Sequence, residues 1–250
     1  MKISTRQLDQ LVELAAQIQQ VPAPTFHEIP RAEFLGQLFK NEGLSDVEID
    51  PAGNVYARLP GAEPADAPPL VITAHLDTVF PPETSLQLRR QTDRLAGPGI
   101  CDNSIGLAGL VGLVWMLRER STRLPGDAWL VADTGEEGLG NLKGMSAILE
   151  RFKDLPRAYI VLEGMGLGEI FHRGLAVKRY RLTIETAGGH SWIDFGRPSA
   201  VHEIARLIDS LTSLVLPANP RTTLNVGVVS GGTSINTIAS HASLELDLRS

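Results

Sequence analysis

Cysteine is nearly absent from this sequence. Cys101 stands alone among 250 residues, so no disulfide can form within the chain, and a reducing, cytoplasmic setting is expected. An excess of positive charge is also lacking. Lys plus Arg number 23 against 29 Asp plus Glu, a balance of −6, which leaves no basic field to gather nucleic acid or anionic lipid. The longest run without charged or polar side chains, Ile105 to Leu117, falls short of the roughly 20 residues that a membrane-spanning helix needs. Near the N-terminus, Asp9 and Glu13 interrupt the apolar residues before an export signal could form. Internal repeats and low-complexity tracts are missing as well. Neither nucleic acid nor a membrane is therefore expected as a partner. An apolar share of 43% and a charged share of 21% argue against disorder, collagen-like repeats and coiled coil.

What is present reads as an α/β protein. Leu8, Leu11, Val12, Ala15 and Ile18 recur at helical spacing and stop at Val21-Pro22-Ala23-Pro24, and a second helical pattern runs from about Pro30 to Glu42. Short β-like runs follow at Val47 to Asp50 and Asn54 to Leu59, then a loop rich in Gly, Ala, Pro and Asp from Pro60 to Pro69. The unbroken apolar run Leu70 to Ala74 fits a strand buried on both faces. Helix (about Asn103 to Arg120), strand (Ala128 to Ala132), helix (about Leu142 to Phe152) and strand (Ala158 to Leu162) then alternate as in βαβ units, giving a three-layer α/β core over residues 1–173. From Gly174 the texture changes. Tyr180, Leu182 and Ile184 alternate with polar neighbours, so a second domain over 174–250 is expected, with an antiparallel sheet wet on one face. Its order of strand, helix (Pro198 to about Leu214), strand (Thr222 to Val229) and strand (Ala242 to Leu248) makes the first four elements of a ferredoxin-like split unit.

Ligands of open α/β sheets sit at the carboxyl ends of the strands, and the residues that follow those ends are acidic. His75-Leu76-Asp77 follows the first buried strand, and residues two apart in an extended chain share a face, so Asp77 can lie beside the His75 imidazole. Asp102 stands at the mouth of the long apolar helix, where it could simply cap the helix. Asp133-Thr134-Gly135-Glu136-Glu137-Gly138 follows the next strand, and adjacent carboxylates in an extended stretch point in opposite directions. Glu163 ends the last strand of this half. Four carboxylates and an imidazole at one sheet edge suit a pair of divalent cations, zinc, manganese or cobalt. Cys101 is expected to be a small buried neighbour of Asp102. Serine catalysis is disfavoured, because no Gly-x-Ser-x-Gly turn follows any of these strands.

The stretches His75-Leu76-Asp77-Thr78-Val79, Gly97 to Asn103, Thr134 to Gly140 and Leu162-Glu163-Gly164 resemble, in order and spacing, the dinuclear zinc hydrolases that include carboxypeptidase G, peptidase T, aminoacylase and the acetylornithine and succinyl-diaminopimelate deacylases. The resemblance implies a catalytic domain with an inserted lid that also dimerises. It implies two metal ions, most simply zinc, with His75 and Glu163 as ligands of separate ions, Asp102 bridging and Glu137 a further ligand. Glu136 would be the general base, with Asp77 orienting His75. His190, within Gly188-Gly189-His190-Ser191, looks like the family's lid histidine, which serves the partner subunit of a homodimer. Asn236 and Arg249 match residues that together grip the substrate's carboxylate and amide.

Two departures accompany the resemblance. Asn103-Ser104-Ile105 stands where many relatives have Asn-Lys-Gly. The family's chain also continues past the lid and returns to the catalytic domain with one more histidine ligand, so this sequence is expected to be a fragment with an incomplete lid, binding metal poorly and hydrolysing little. The expected activity is hydrolysis of a small peptide or an N-acyl amino acid near a free carboxylate. The alternative is a non-catalytic binding or assembly protein that keeps the fold without a complete metal site.

Overall fold

A computed structural model describes residues 4–62, 67–164, 166, 168–172 and 174–250. Residues 63–66 of the loop expected over Pro60 to Pro69, and Arg173 at the expected domain junction, lie outside the described residues. The contacts divide the chain into two compact units, Met1–Glu169 and Ile170–Ser250.

In the first unit, α1 (Thr5–Gln19) begins where the Ser4 hydroxyl accepts the Gln7 N–H and the Gln7 side chain accepts the Ser4 N–H, filling amides that a helix start leaves open. Next come α2 (Ile29–Asn41), β1 (Ser45–Ile49), β2 (Val55–Leu59) and β3 (Leu70–His75), then the short pair β4 (Arg89–Arg90) and β5 (Leu95–Ala96). A π-helical turn over Ile100–Ser104 leads into α3 (Ile105–Glu119), followed by β6 (Ala128–Asp133), α4 (Lys143–Phe152) and β7 (Ala158–Val161). The sheet order is β1-β2-β6-β3-β7, with β3 parallel to β6 and β7, and β2 antiparallel to β6. Parallel neighbours need a long crossover, which α3 supplies from β3 to β6 and α4 from β6 to β7.

Both faces of this sheet are covered, which explains the unbroken apolar run of β3. Ile18 of α1, Leu35 and Phe39 of α2 and Leu107, Leu110 and Val114 of α3 pack on Ala74, Leu130 and Ala132. Ile148 and Phe152 of α4 pack on Tyr56, Val71 and Val131 from the other side. The result is the three-layer α/β arrangement. Over its best window Ile100–Glu119 reaches a mean hydropathy of 1.6, enough by length and composition to cross a membrane. In this fold it is a core helix, with Leu107, Ala108, Leu110, Val111 and Val114 buried.

The second unit comprises β8 (Val177–Glu185), β9 (Gly189–His190), α5 (Ala200–Thr212), β10 (Thr223–Gly231), β11 (Thr237–Ile238) and β12 (His241–Arg249). Its main sheet has the antiparallel order β10-β12-β8, so the third long strand lies between the other two as in a split βαβ unit. Ala200 and Ile204 of α5 pack on Ala242, Leu244 and Leu246. Arg179 pairs with Asp247 and Arg181 with Glu245 across β8 and β12, where the alternation left polar residues. The small β9–β11 pair has no counterpart in the sequence pattern, because two residues carry no period.

One buried cation ties the first unit together close to the C-terminal end of β3. Arg31 of α2 is 1% exposed; its Nε donates to the Val21 carbonyl at 2.8 Å and its Nη1 to the Leu76 carbonyl at 2.7 Å. Burial lowers its pKa to about 10, against the favourable charge of Asp77. Arg31→Met should keep most of the volume but leave two carbonyls without a donor, at a cost of about 2–4 kcal/mol. Urea unfolding of the two proteins measures this, and a difference below ~0.5 kcal/mol would show that Arg31 does not hold α2 to β3.

Candidate metal centre

Parallel pairing puts the C-terminal ends of β3, β6 and β7 at one edge of the sheet, and the residues that follow those ends meet there. His75 closes β3 and is 2% exposed. Its Nδ1 lies 2.9 Å from the backbone oxygen of Asp77, and its Nε2 lies 2.9 Å from Oδ1 of Asp102 and 3.7 Å from Oε1 of Glu163. One ring nitrogen fixed by a carbonyl, with the other turned to carboxylates, is how a metal-bound imidazole is oriented.

The Asp77 carboxylate lies beside the His75 imidazole and has a further task. Its Oδ1 is 3.6 Å from His75 Nδ1, a looser contact than that of its backbone carbonyl. Oδ1 also accepts the Glu136 N–H at 3.0 Å, and Oδ2 accepts the Glu137 N–H at 2.9 Å and the Thr25 hydroxyl at 2.9 Å. Successive amides of an extended strand point to opposite sides, yet these two point at one carboxylate, so the chain past Asp133 is a turn. The expectation that Glu136 and Glu137 point apart therefore fails at their tips: one oxygen of each, with a nitrogen of His75, all lie within 4.8 Å of one another. Gly135 makes the turn with φ +64, a backbone that side-chain-bearing residues seldom adopt.

Asp102 does not cap α3. Asn103 does part of that work, its Oδ1 accepting the Gly106 N–H at 3.1 Å and its Nδ2 donating to the Leu162 carbonyl at 2.8 Å, while the Asp102 carboxylate turns to His75. Glu163 is brought alongside by a close approach: a Cβ on Gly164 would stand 1.6 Å from the Cys101 carbonyl oxygen. Ligand atoms of His75, Asp102 and Glu163 then also lie within 4.8 Å of one another. Cys101 is exposed rather than buried, and its thiol donates to the Gly164 carbonyl at 3.0 Å. Two groups sharing His75, with carboxylates and no thiolate, form a donor set that fits divalent cations of the zinc, manganese and cobalt type.

In the second unit, His190 is exposed on β9, with its N–H donating to Asp194 Oδ2 at 2.8 Å. Its Nδ1 accepts the Trp192 N–H at 3.3 Å, which puts the proton of the neutral ring on Nε2. The Ser191 N–H donates to the Asn236 carbonyl at 3.0 Å, so His190 and Asn236 stand together. Arg249 does not join them. It lies at the far end of β12 from His241, roughly 26 Å away at a rise of about 3.3 Å per residue, and its Nε donates to Asp247 Oδ2 at 2.6 Å.

The model of peptidase family M20/M25/M40 matches residues 71–243, most of the chain, including Asp77, Asp102, Glu136, Glu137 and Glu163. This chain belongs to that family. A probable carboxypeptidase of Aspergillus clavatus is 27% identical over 249 residues, covering 89% of this chain and 54% of that protein. The chain thus spans about half the length of that relative. The aminopeptidase PepT of Bacillus cereus superposes with a TM-score of 0.69 at 23% identity, covering 97% of this chain and 66% of that one. YXEP of Bacillus subtilis, described as a dinuclear metal binding peptidase from the M20 family, superposes with a TM-score of 0.60 at 17% identity, covering 99% and 65%. These likenesses show a shared fold.

In this M20 chain the charges at the sheet edge oppose one another. Burial, then the like charges of Asp102 and Glu136, raises Glu137 to about 7, and burial with the same two neighbours raises Glu163. Burial alone would lower His75, but Asp102 and Asp77 outweigh it and raise its pKa to about 11. Asp102 is lowered chiefly by His75; Asp77 is lowered although burial opposes it, because His75 and the two amides prevail. Sequence reasoning missed Thr25, Glu28 and Asn54, whose side chains brace this region. Their only signal was a polar residue in an otherwise ordinary turn.

The signs of these shifts predict a pH optimum for chelated protein. The contribution of Glu137 is complete below about 4.5 and lost as pH rises through about 7; that of His75 is complete below about 6.5 and lost as pH rises through about 11. Asp77 and Asp102 lose theirs as pH falls through and below about 3.8. Melting with chelator should peak at about pH 5 and lie several degrees lower at about pH 8, since ~1 kcal/mol moves a chain of this size by about 2–4 °C. Zinc or manganese should raise the melting temperature more at the higher pH. Equal melting at both pH values with chelator would mean that the acids do not oppose one another.

Proposed function

We propose that this chain carries the cation-binding and proton-transfer residues of a cytoplasmic hydrolase that cleaves a peptide or N-acyl amide bond near a free carboxylate. The observation that carries the reading is the meeting of His75 with Asp102, Glu163, Glu136 and Glu137 at one sheet edge in a member of a peptidase family. The names of the relatives, a carboxypeptidase and an aminopeptidase, support a peptide substrate.

In this reading His75, Asp102, Glu137 and Glu163 would hold two divalent ions, as the description of the Bacillus subtilis structure supports for that protein. Bound ions of this kind polarise a scissile carbonyl and make a nearby water more acidic. Glu136 takes the proton of the attacking water and passes it to the leaving nitrogen. Asp77 holds the amides of Glu136 and Glu137, and so the position of both side chains. His190 offers its Nε2–H to the carbonyl oxygen as negative charge gathers there, and Asn236 beside it binds the substrate amide. The second unit makes a homodimer in which His190 serves the partner subunit's centre.

Three measurements on the full-length protein test this. Di- and tripeptides are compared with N-acyl amino acids as substrates in the presence of zinc, manganese or cobalt; no turnover of either class would sink the hydrolase reading. Glu136→Gln should lower kcat by about 10²–10⁴-fold with cation content unchanged, whereas Glu137→Gln should lower cation content itself. Equal cation loss in both would end the division of roles. Mixing inactive His190→Ala with inactive Glu136→Gln subunits should restore part of the activity, because a hybrid dimer holds one intact set. No recovery after confirmed subunit exchange would mean that His190 does not act across subunits.

A further inference from the structure

Four consecutive amides after β6 each donate to a side chain from elsewhere in the first unit. The Thr134 N–H donates to Asn54 Oδ1 at 3.0 Å, Gly135 N–H to Glu28 Oε1 at 3.2 Å, Glu136 N–H to Asp77 Oδ1 at 3.0 Å and Glu137 N–H to Asp77 Oδ2 at 2.9 Å. Glu28 is the unexpected member. It sits at the N-cap of α2, where a short side-chain acceptor can take the open amides of the helix, but it makes no such capping bond. It is 4% exposed, and its carboxylate is spent on the Gly135 peptide.

That peptide needs an external hold. Glycine is the residue least restricted by its own sterics, and Gly135, at φ +64, directly precedes Glu136. A glycine released there can rotate its peptide planes and carry the next side chain with it.

We propose that Glu28 is a positioning residue for Glu136: its buried carboxylate clamps the Gly135 N–H on one side of the glycine while Asp77 holds the Glu136 N–H on the other, and the two holds together set where the Glu136 carboxylate lies. The proposal rests on the reading of Glu136 as general base. A displacement of about 1 Å at a reacting group can cost about 100-fold in rate, so the loss belongs in kcat. Substrate and cation affinity depend on other groups.

The test uses Glu28→Ala, Glu28→Gln and Glu28→Asp in the full-length protein, with kcat, KM, cation content and melting temperature measured for each. Glu28→Ala should lower kcat by about 10–100-fold, with KM within about threefold and cation content unchanged. Glu28→Gln retains an acceptor oxygen of the same reach and should recover most of the lost kcat. Glu28→Asp keeps the charge but is one methylene short, and should lose kcat without losing cation; it carries the test if the alanine variant does not fold. Wild-type kcat in Glu28→Asp, cation loss in step with kcat, or a glutamine variant no better than alanine would each overturn the proposal. On the residual turnover of Glu136→Gln, adding Glu28→Ala should cost less than about twofold, because a displaced group that no longer transfers the proton has nothing further to lose. Additive losses would overturn the positioning role while leaving Glu136 as base. Wild-type turnover in Glu136→Gln alone would instead remove the base assignment, and the proposal with it.

Discussion

Asp77 has no exposed surface, and a carboxylate in that position is stable only when donors fill its oxygens. The amides of Glu136 and Glu137 and the hydroxyl of Thr25 do so, with the cations of Arg31 and His75 close enough to favour its charge. These groups come from several segments of the first unit. Satisfying one buried charge therefore draws the turn after α1, the end of β3 and the turn after β6 into a single arrangement. Arg31 serves the same region from α2 by taking the Leu76 carbonyl.

The inner carboxylate is neutralised by the protein, whereas the outer ones are not. Asp102, Glu137 and Glu163 stand around the His75 ring with like charges facing one another, and burial raises two of the three. Such a cluster gains most from a cation, because one ion relieves several repulsions at once and replaces the protons that the acids would otherwise take up. The sheet beneath supplies rigidity. β3 and β6 are covered on both faces, so the strand ends that carry the ligands cannot shift without disturbing close packing.

The second unit is organised by a different contrast. One face of its antiparallel sheet is apolar under α5, and the other carries ion pairs between directly opposed residues of β8 and β12. At one end of that sheet the β9–β11 pair holds His190 beside Asn236. Arg249, at the opposite end of β12, is separated from them by the length of the strand.

The order of the long helices and strands, the two-sided burial of β3, the change of texture near Gly174 and the acidic residues after each buried strand all followed from the sequence. They are legible there because apolar periodicity and the position of a residue after a strand are local properties. Tertiary structure decided which atoms those residues present. Asp77 lies beside the imidazole, where it was expected, but its carboxylate also serves two amides that only the folded turn brings to it. Glu136 and Glu137 converge because Gly135 turns the chain out of the strand, where a period of two no longer applies. Glu28 and Asn54 gave no signal beyond their polarity, since a hydrogen bond between residues roughly a hundred positions apart leaves no trace in either neighbourhood: the distance from Glu28 to Gly135 closes only when α2 and β6 pack in one unit.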